Sequence, residues 1–354
     1  MARPLNQGNT SMGREIRHLV VPGLAILLVI TVVAAACTGS VSIPAFHVVQ
    51  YMASHTGLTD AGIPWQHEAV LGSIRLPRIF LGTLVGATLA VSGASLQAIF
   101  RNPLADPGLV GISSGCALAA AGTVVFGTTL TGEPWLLPIA AFVGGMAAVS
   151  VVHLLAAING RVNPATMLLA GIAVNALCAT GIGLLVYLGD DLQMRQFLFW
   201  TMGSLSNSDW RQIVPASLIM CVAVFVLVRQ SNQLNILVLG EREAGHLGMD
   251  VPRFIRLSTI LVSLGVGAAV SVSGVIGFVG LVVPHLVRLV IGADHRLLLP
   301  GSALAGAILM TLSDTAARTL AEPAEMPIGL LCSLIGAPCL VWLLFCRTRR
   351  STAS

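Results

Sequence analysis

Residues 257–291 read LSTILVSLGVGAAVSVSGVIGFVGLVVPHLVRLVI, and no Asp, Glu or Lys interrupts them. The first arginine in the run is Arg288. The stretch divides at Gly274 into segments 257–273 and 275–291, each close to the length of apolar chain that crosses a bilayer as a helix. Inside lipid every backbone N–H and C=O must be satisfied within the segment, so both segments read as helices. The period-2 alternation that a membrane barrel requires is absent.

Outward from this pair, further apolar segments lie at 19–37, 78–99, 108–127, 135–157, 165–188, 212–228, 297–320 and 327–346. The whole chain of 354 residues is 55% hydrophobic and 10% charged, with a mean hydropathy of +0.88. Soluble domains carry about 25% charged residues, so this chain cannot coat a water-facing surface. The sequence predicts an all-α polytopic membrane protein of ten spans, one transmembrane domain over 1–354 with residues 1–18 as a cytoplasmic tail. Arg14 and Arg17 precede the first span, which ends Ala34-Ala35-Ala36-Cys37. Small residues there mimic a leader-cleavage site, but the length of the run favours a retained helix.

Arginine placement orients the spans. With the N-terminus inside, Arg3, Arg14, Arg17, Arg101, Arg161, Arg229, Arg242, Arg253, Arg256, Arg288, Arg296, Arg347, Arg349 and Arg350 are cytoplasmic. Arg75, Arg78, Arg195, Arg211 and Arg318 fall outside. The bias supports an even number of spans with both termini inside.

No lysine occurs anywhere in the chain. A Walker-type phosphate loop places a lysine on the β/γ-phosphates, and Schiff-base chemistry also needs one. Any nucleotide-driven work must come from another polypeptide. The seven cysteines form no C-x-x-C pair and mostly lie in apolar runs, so no zinc site or disulfide framework is indicated.

A weak repeat appears at an offset of 181 residues. Gly86-Ala87 and Val91-Ser92-Gly93 match Gly267-Ala268 and Val272-Ser273-Gly274; Arg75-Leu76 matches Arg256-Leu257, and Pro103 matches Pro284. The matched spans are the second and seventh, which cross in opposite directions. An inverted repeat of spans two to five and seven to ten is a transporter architecture. Small-xxx-small spacings at Gly82/Gly86, Gly111/Gly115 and Ser263/Gly267/Ser271 indicate close helix packing.

The motifs then become specific. They are Arg75-Leu76-Pro77-Arg78, Ser92-Gly93-Ala94-Ser95-Leu96-Gln97, Arg101-Asn102-Pro103-Leu104-Ala105-Asp106-Pro107, Trp200-Thr201-Met202-Gly203-Ser204-Leu205, Gly277-Phe278-Val279-Gly280-Leu281-Val282-Val283-Pro284-His285 and Glu325-Met326-Pro327-Ile328-Gly329. From about Arg75 to the C-terminus this string resembles the permease family of bacterial ATP-driven importers for ferric siderophores, haem and cobalamin. The resemblance implies ten helices per subunit, a homodimer, two cytoplasmic ATPase subunits that use ATP and Mg, and a periplasmic binding protein. It implies an inner-membrane location, a chain that is not itself an enzyme, and no cofactor, catalytic residue, metal site or nucleic-acid partner. Overall likeness to the haem-importing branch puts haem first as cargo, ferric siderophore second and cobalamin third.

Residue by residue, the resemblance makes Arg75, Arg78 and Arg318 receivers of the binding protein's glutamates. It makes Leu239-Gly240-Glu241-Arg242-Glu243-Ala244-Gly245-His246-Leu247-Gly248 a short cytoplasmic helix that docks in the ATPase, with Leu239 and Leu247 as apolar anchors. Arg101, Asn102, Pro103, Pro284, His285, Arg288 and Asp314 are gating or structural candidates. Prolines 103 and 107 read as a turn ending a helix. Asp314 and Arg318 are four apart and so share a helix face. Trp200 reads as an interfacial anchor. His47, His55 and His67 fall in the outer segment 38–77. The alternative from another class is an ion-coupled secondary transporter, which would place ionisable groups near the midplane; those positions are nearly free of charge.

Overall fold

The structure is a computed structural model and describes residues 12–55, 62–127, 133–158, 161–206, 208–320 and 324–351. The expected tail, residues 1–18, falls outside this range up to residue 11. Fifteen α-helices follow in order: α1 Met12–Cys37, α2 Ala45–His55, α3 Trp65–Val70, α4 Leu76–Ile99, α5 Ile112–Phe126, α6 Leu136–Ala156, α7 Pro164–Leu188, α8 Asp191–Thr201, α9 Trp210–Arg229, α10 Ser231–Val238, α11 Glu241–His246, α12 Val251–Ser273, α13 Val279–Ile291, α14 His295–Leu320 and α15 Ile328–Ser351. A π-turn at Leu71–Arg75 joins α3 to α4 without a break, and a 3₁₀ turn at Pro107–Val110 precedes α5. The one ladder among the described residues pairs Ala157–Ile158 with Arg161–Val162.

Among the described residues seven helices are long and apolar enough to cross a membrane, and α5, α13 and the Ile328–Trp342 part of α15 are shorter apolar helices. These ten coincide with the ten apolar segments of the sequence. The chain is an all-α polytopic membrane protein. Caps explain several boundaries: Asn163 accepts from the N–H groups of Ala165 and Thr166 ahead of α7, Asp209 from Arg211 ahead of α9, and Asp250 from Arg253 ahead of α12. Each satisfies orphan donors of a first turn.

The centre is α4, whose residues are buried almost without a break from Pro77 to Ile99. Its glycines permit this. A Cβ on Gly86 would lie 2.2 Å from the Gly306 carbonyl oxygen of α14, and one on Gly93 would lie 1.8 Å from the Gly280 oxygen of α13. Gly115 of α5 meets Gly144 of α6 in the same way. With lipid tails as apolar as the side chains, close backbone approach supplies much of the packing energy. Gly111 has a different use: at φ +89° it caps the 3₁₀ turn, so the Gly111/Gly115 spacing is not a packing stripe.

Helix pairing displays the inverted repeat. α4 packs on α13 and α14 as α12 packs on α5 and α6; α13–α14 corresponds to α5–α6, α13–α15 to α5–α7, and α14–α15 to α6–α7. The single 181-residue offset holds only for α4 and α12. Pro103 sits in the turn after α4 whereas Pro284 lies inside α13, and Arg75 ends the π-turn whereas Arg256 lies within α12. Of these, only the Pro103 match is corrected as coincidental, because the connections after α4 and α12 differ in length; Arg75 and Arg256 both stand in unbroken helix.

Candidate functional site

The end of the bundle called outer, after the arginine bias, is closed by a buried charge network. Helix α1 ends there, and the last carbonyls of any helix lack intrahelical partners. Arg75 Nη1 donates to the Ala36 carbonyl at 2.6 Å and Arg318 Nη2 to the Ala35 carbonyl at 3.2 Å; Arg75 Nη2 also donates to the Val41 carbonyl. Arg78 Nε donates to Asp314 Oδ1 at 2.7 Å, and its Nη1 reaches both Glu325 oxygens at 3.0 Å. Arg318 Nε lies 3.2 Å from Asp314 Oδ2, the predicted same-face pair. The Arg78, Arg318 and Asp314 side chains are 5%, 10% and 3% exposed, against 48% for Glu325.

This corrects the expected presentation of Arg75, Arg78 and Arg318. They do not offer free cations at the surface; all three are engaged by carbonyls and carboxylates of their own chain. For Arg75 and Arg78 the sequence could not show this, because Asp314 and the carbonyls of α1 lie far away along the chain; the Asp314–Arg318 pair was readable from its four-residue spacing.

Beside the network, three motifs meet through backbone hydrogen bonds. Ser204 N–H donates to the Ser273 carbonyl at 2.8 Å, Ile328 N–H to Gly203 at 3.1 Å and Gly329 N–H to Met202 at 3.0 Å. A cavity of about 1140 Å³ opens over this junction, lined by Arg195, Trp200, Ser204, Asp209, Glu325 and Pro327 among others. Trp200 is partly buried against the core.

At the opposite end, Arg101-Asn102-Pro103 forms the predicted turn. Arg101 takes φ +47°, Asn102 Oδ1 accepts from Leu104 N–H at 3.0 Å, and Asp106 Oδ1 accepts from Gly108 N–H at 2.8 Å. Burial pushes the Asp106 carboxyl above its ordinary range, and the Gly108 N–H opposes that shift. Asn175 of α7 donates to the Gly108 carbonyl at 3.1 Å, tying the turn to the bundle. Arg101 Nη2 lies 3.8 Å from Glu241 Oε1, so the turn abuts α11.

Helix α11 packs on the bundle through one small face, Ala244, and leaves the rest outside. Gly240, at φ +136°, and Gly248, at φ +85°, bracket it. Glu241, Arg242, Glu243, Gly245 and His246 are exposed and only Ala244 is buried. Leu239 and Leu247 are 67% and 64% exposed, as apolar anchors for a partner must be. Next to it α10, absent from the sequence reading as a separate helix, is clamped to the start of α14. Asn235 Nδ2 donates to Asp294 Oδ1 at 2.7 Å, Asn235 Oδ1 accepts from His295 N–H at 2.9 Å, and Arg296 Nε donates to Asn232 Oδ1 at 2.6 Å. Burial works to raise the Asp294 carboxyl, yet the Arg296 N–H, Asn235 and the neighbouring positive charges hold it below its ordinary range.

Pro284 lies inside α13 and cannot donate to the Gly280 carbonyl. Gln97 of α4 donates to the adjacent Leu281 carbonyl at 3.2 Å, and Gly93 abuts Gly280. This supports the structural side of the expectation for Pro284. His285 and Arg288 are half-buried on the same helix. Among the described residues no group of three or more His, Cys, Asp or Glu side chains is placed to hold a metal ion.

Residues 27–346 match the FecCD transport family. The chain belongs to that family. It is 47% identical over 341 residues to the hemin transport system permease protein HmuU of Yersinia pestis, covering 94% of this chain and 97% of that protein. It is 43% identical over 285 residues to the cobalamin import system permease protein BtuC of Halobacterium salinarum, covering 80% and 75%. A solved structure, described as an inward-facing conformation of a metal-chelate type ABC transporter, superposes with a TM-score of 0.81 at 33% identity over 92% of this FecCD chain and 99% of the other. The family resemblance drawn from the motifs is thereby confirmed.

Proposed function

We propose that this chain is the membrane-spanning permease subunit of an ATP-driven importer and that its cargo is haem. The observation that carries the proposal is the 47% identity, over nearly the full length of both chains, to a permease named for hemin transport. The 43% identity to a permease named for cobalamin import favours cobalamin as the second reading. Two copies of the chain form the path, two ATPase subunits that use ATP and Mg bind the α11 end, and a periplasmic binding protein delivers cargo to the outer end. The assembly sits in the bacterial inner membrane with both termini cytoplasmic, as the arginine bias implies. Arg75, Arg78 and Arg318 act in docking through the collar they brace; the exposed charge of that collar is Glu325.

The test is uptake by vesicles carrying the permease, its ATPase and its binding protein. Haem accumulates on ATP addition and excess cobalamin does not compete. Cobalamin uptake without haem uptake overturns the cargo and leaves the family intact.

A further inference from the structure

The segment that carries α11 is fastened to the bundle through the helix before it. Helix α10 precedes α11 with only Leu239 and Gly240 between them, and the two pack on each other. Leu234 and Leu237 bury one face of α10 in the core, where it lies on α4 and α14. Asn232 and Asn235 are three apart, hence neighbours on the helix surface, and both meet the first residues of α14.

Asp294 serves two helices at once. Its Oδ1 accepts from the Arg296 N–H at 3.0 Å, which satisfies a first-turn donor of α14, and from Asn235 Nδ2 at 2.7 Å. Asn235 Oδ1 accepts in return from the His295 N–H at 2.9 Å and from His295 Nδ1 at 2.7 Å. Arg296 Nε adds the bond to Asn232 Oδ1. A single exposed hydrogen bond contributes little. Here both ends of one amide engage a single turn of α14, and that turn is seated by the buried His295, so orientation is fixed as well as position.

Helix α14 leads from this turn to the other end of the molecule. Asp314 stands roughly 28 Å along it from His295, at about 1.5 Å per residue, and there pairs with Arg78 and Arg318. Between the two ends the Gly86–Gly306 backbone contact holds α14 against α4. Pro300 removes one intrahelical bond just beyond the clamp, but Leu298 and Leu299 beside it are fully buried and tie that turn to the core. Helix α11 pivots on glycines at both flanks, so a displacement of α11 needs a firm neighbour to act on, and α10 is one.

We propose that the clamp between α10 and the start of α14 is the joint through which displacement of α11 reaches the collar, with Asn235 as its positioning residue. The inference rests on the importer reading and adds a route to it. An ATPase on α11 and a binding protein at the collar act on opposite ends of one helix.

The experiment uses the assembled importer in vesicles: full-length permease, its ATPase, and its binding protein loaded with haem, or with cobalamin if that is what the wild type transports. Asn235→Ala removes all three bonds of the amide, and Ala, the best helix former, keeps α10 helical. The ATPase still binds this variant and basal hydrolysis stays within about twofold, while stimulation by the loaded binding protein falls at least about fivefold. Asn235→Asp combined with Asp294→Asn reverses donor and acceptor between the helices, keeps the single negative charge of the pair, and restores stimulation. Stimulation retained by Asn235→Ala, or still missing in the reciprocal variant, overturns the joint. Loss of ATPase binding in Asn235→Ala makes the clamp a support for the docking surface and overturns transmission through it. A wild-type assembly that shows no stimulation overturns the importer reading and the joint with it.

Discussion

Asp314 is a carboxylate on a helix long and apolar enough to span lipid, and it persists there because two guanidiniums face it. Breaking a buried pair leaves an uncompensated charge, a loss of about 3–5 kcal/mol. Substitutions of Asp314, Arg78 and Glu325 therefore rank in a definite order. Asp314→Asn leaves Arg78 and Arg318 facing each other with their shared anion gone, and it destabilises most. Arg78→Gln still leaves Arg318 beside Asp314 and costs less. Glu325→Gln touches a half-exposed pair and costs about 0–1 kcal/mol. Thermal midpoints of the variants in one detergent test the ranking; a Glu325→Gln effect as large as that of Asp314→Asn refutes it. Asp294 gives a pH prediction of fixed sign. Its carboxyl is depressed in the folded chain, so its contribution is present above the ordinary carboxylate range and is lost as pH falls through the folded value. Wild type should exceed Asp294→Asn in stability at neutral pH and converge with it in acid. A constant gap across that range means the Asn235 clamp does not depend on the charge.

Helices were the most legible level of this sequence, since each bilayer crossing must supply its own apolar run. The short elements α2, α3, α8 and α10 were not, because their periodicity is brief and their stability comes from what they pack on. The repeat was only half legible. Its first members, α4 and α12, align because both pack closely through small residues, while unequal connections hide the rest. Glycine contacts make the element scale testable. Gly86→Ala drives a methyl into the backbone of Gly306, which has no side chain to move aside, and should loosen α4 from α14. Gly183→Ala in α7 meets nothing within 4 Å and gains up to about 1 kcal/mol from helix propensity. Equal effects on the thermal midpoint would refute this reading of the α4–α14 contact. Helix α11 is judged the same way. Its motif was readable, and the structure adds that Leu239 and Leu247 are bare. Replacing 239–248 by a glycine-serine linker of equal length should abolish cargo-stimulated ATP hydrolysis in the assembled importer while the permease still folds. Full stimulation with the linker in place removes α11 from the coupling.

The molecule as a whole divides into an outer end locked by buried ion pairs and an opposite end that presents a short charged helix. The core between them holds α4 and α12 at its centre, each packed on a pair of helices from the other half of the repeat. Pairs such as Arg78–Asp314 join helices remote in sequence, so the locked end could not be read from spacing, whereas the helix facing the other way could. The division predicts where energy enters. With no lysine in the chain, no Walker-type phosphate loop can form, and exposed α11 is the surface best suited to receive motion from outside. The purified chain should therefore hydrolyse no ATP at any substrate concentration, and turnover should begin when an ATPase subunit is added. The control is the same preparation with the α11 linker, which keeps the transmembrane helices and removes the surface proposed to dock the ATPase. Hydrolysis that survives rigorous purification of the chain alone, and is unchanged by the linker, would show that the energy source lies within the bundle. The importer reading would then give way to a mechanism of another class.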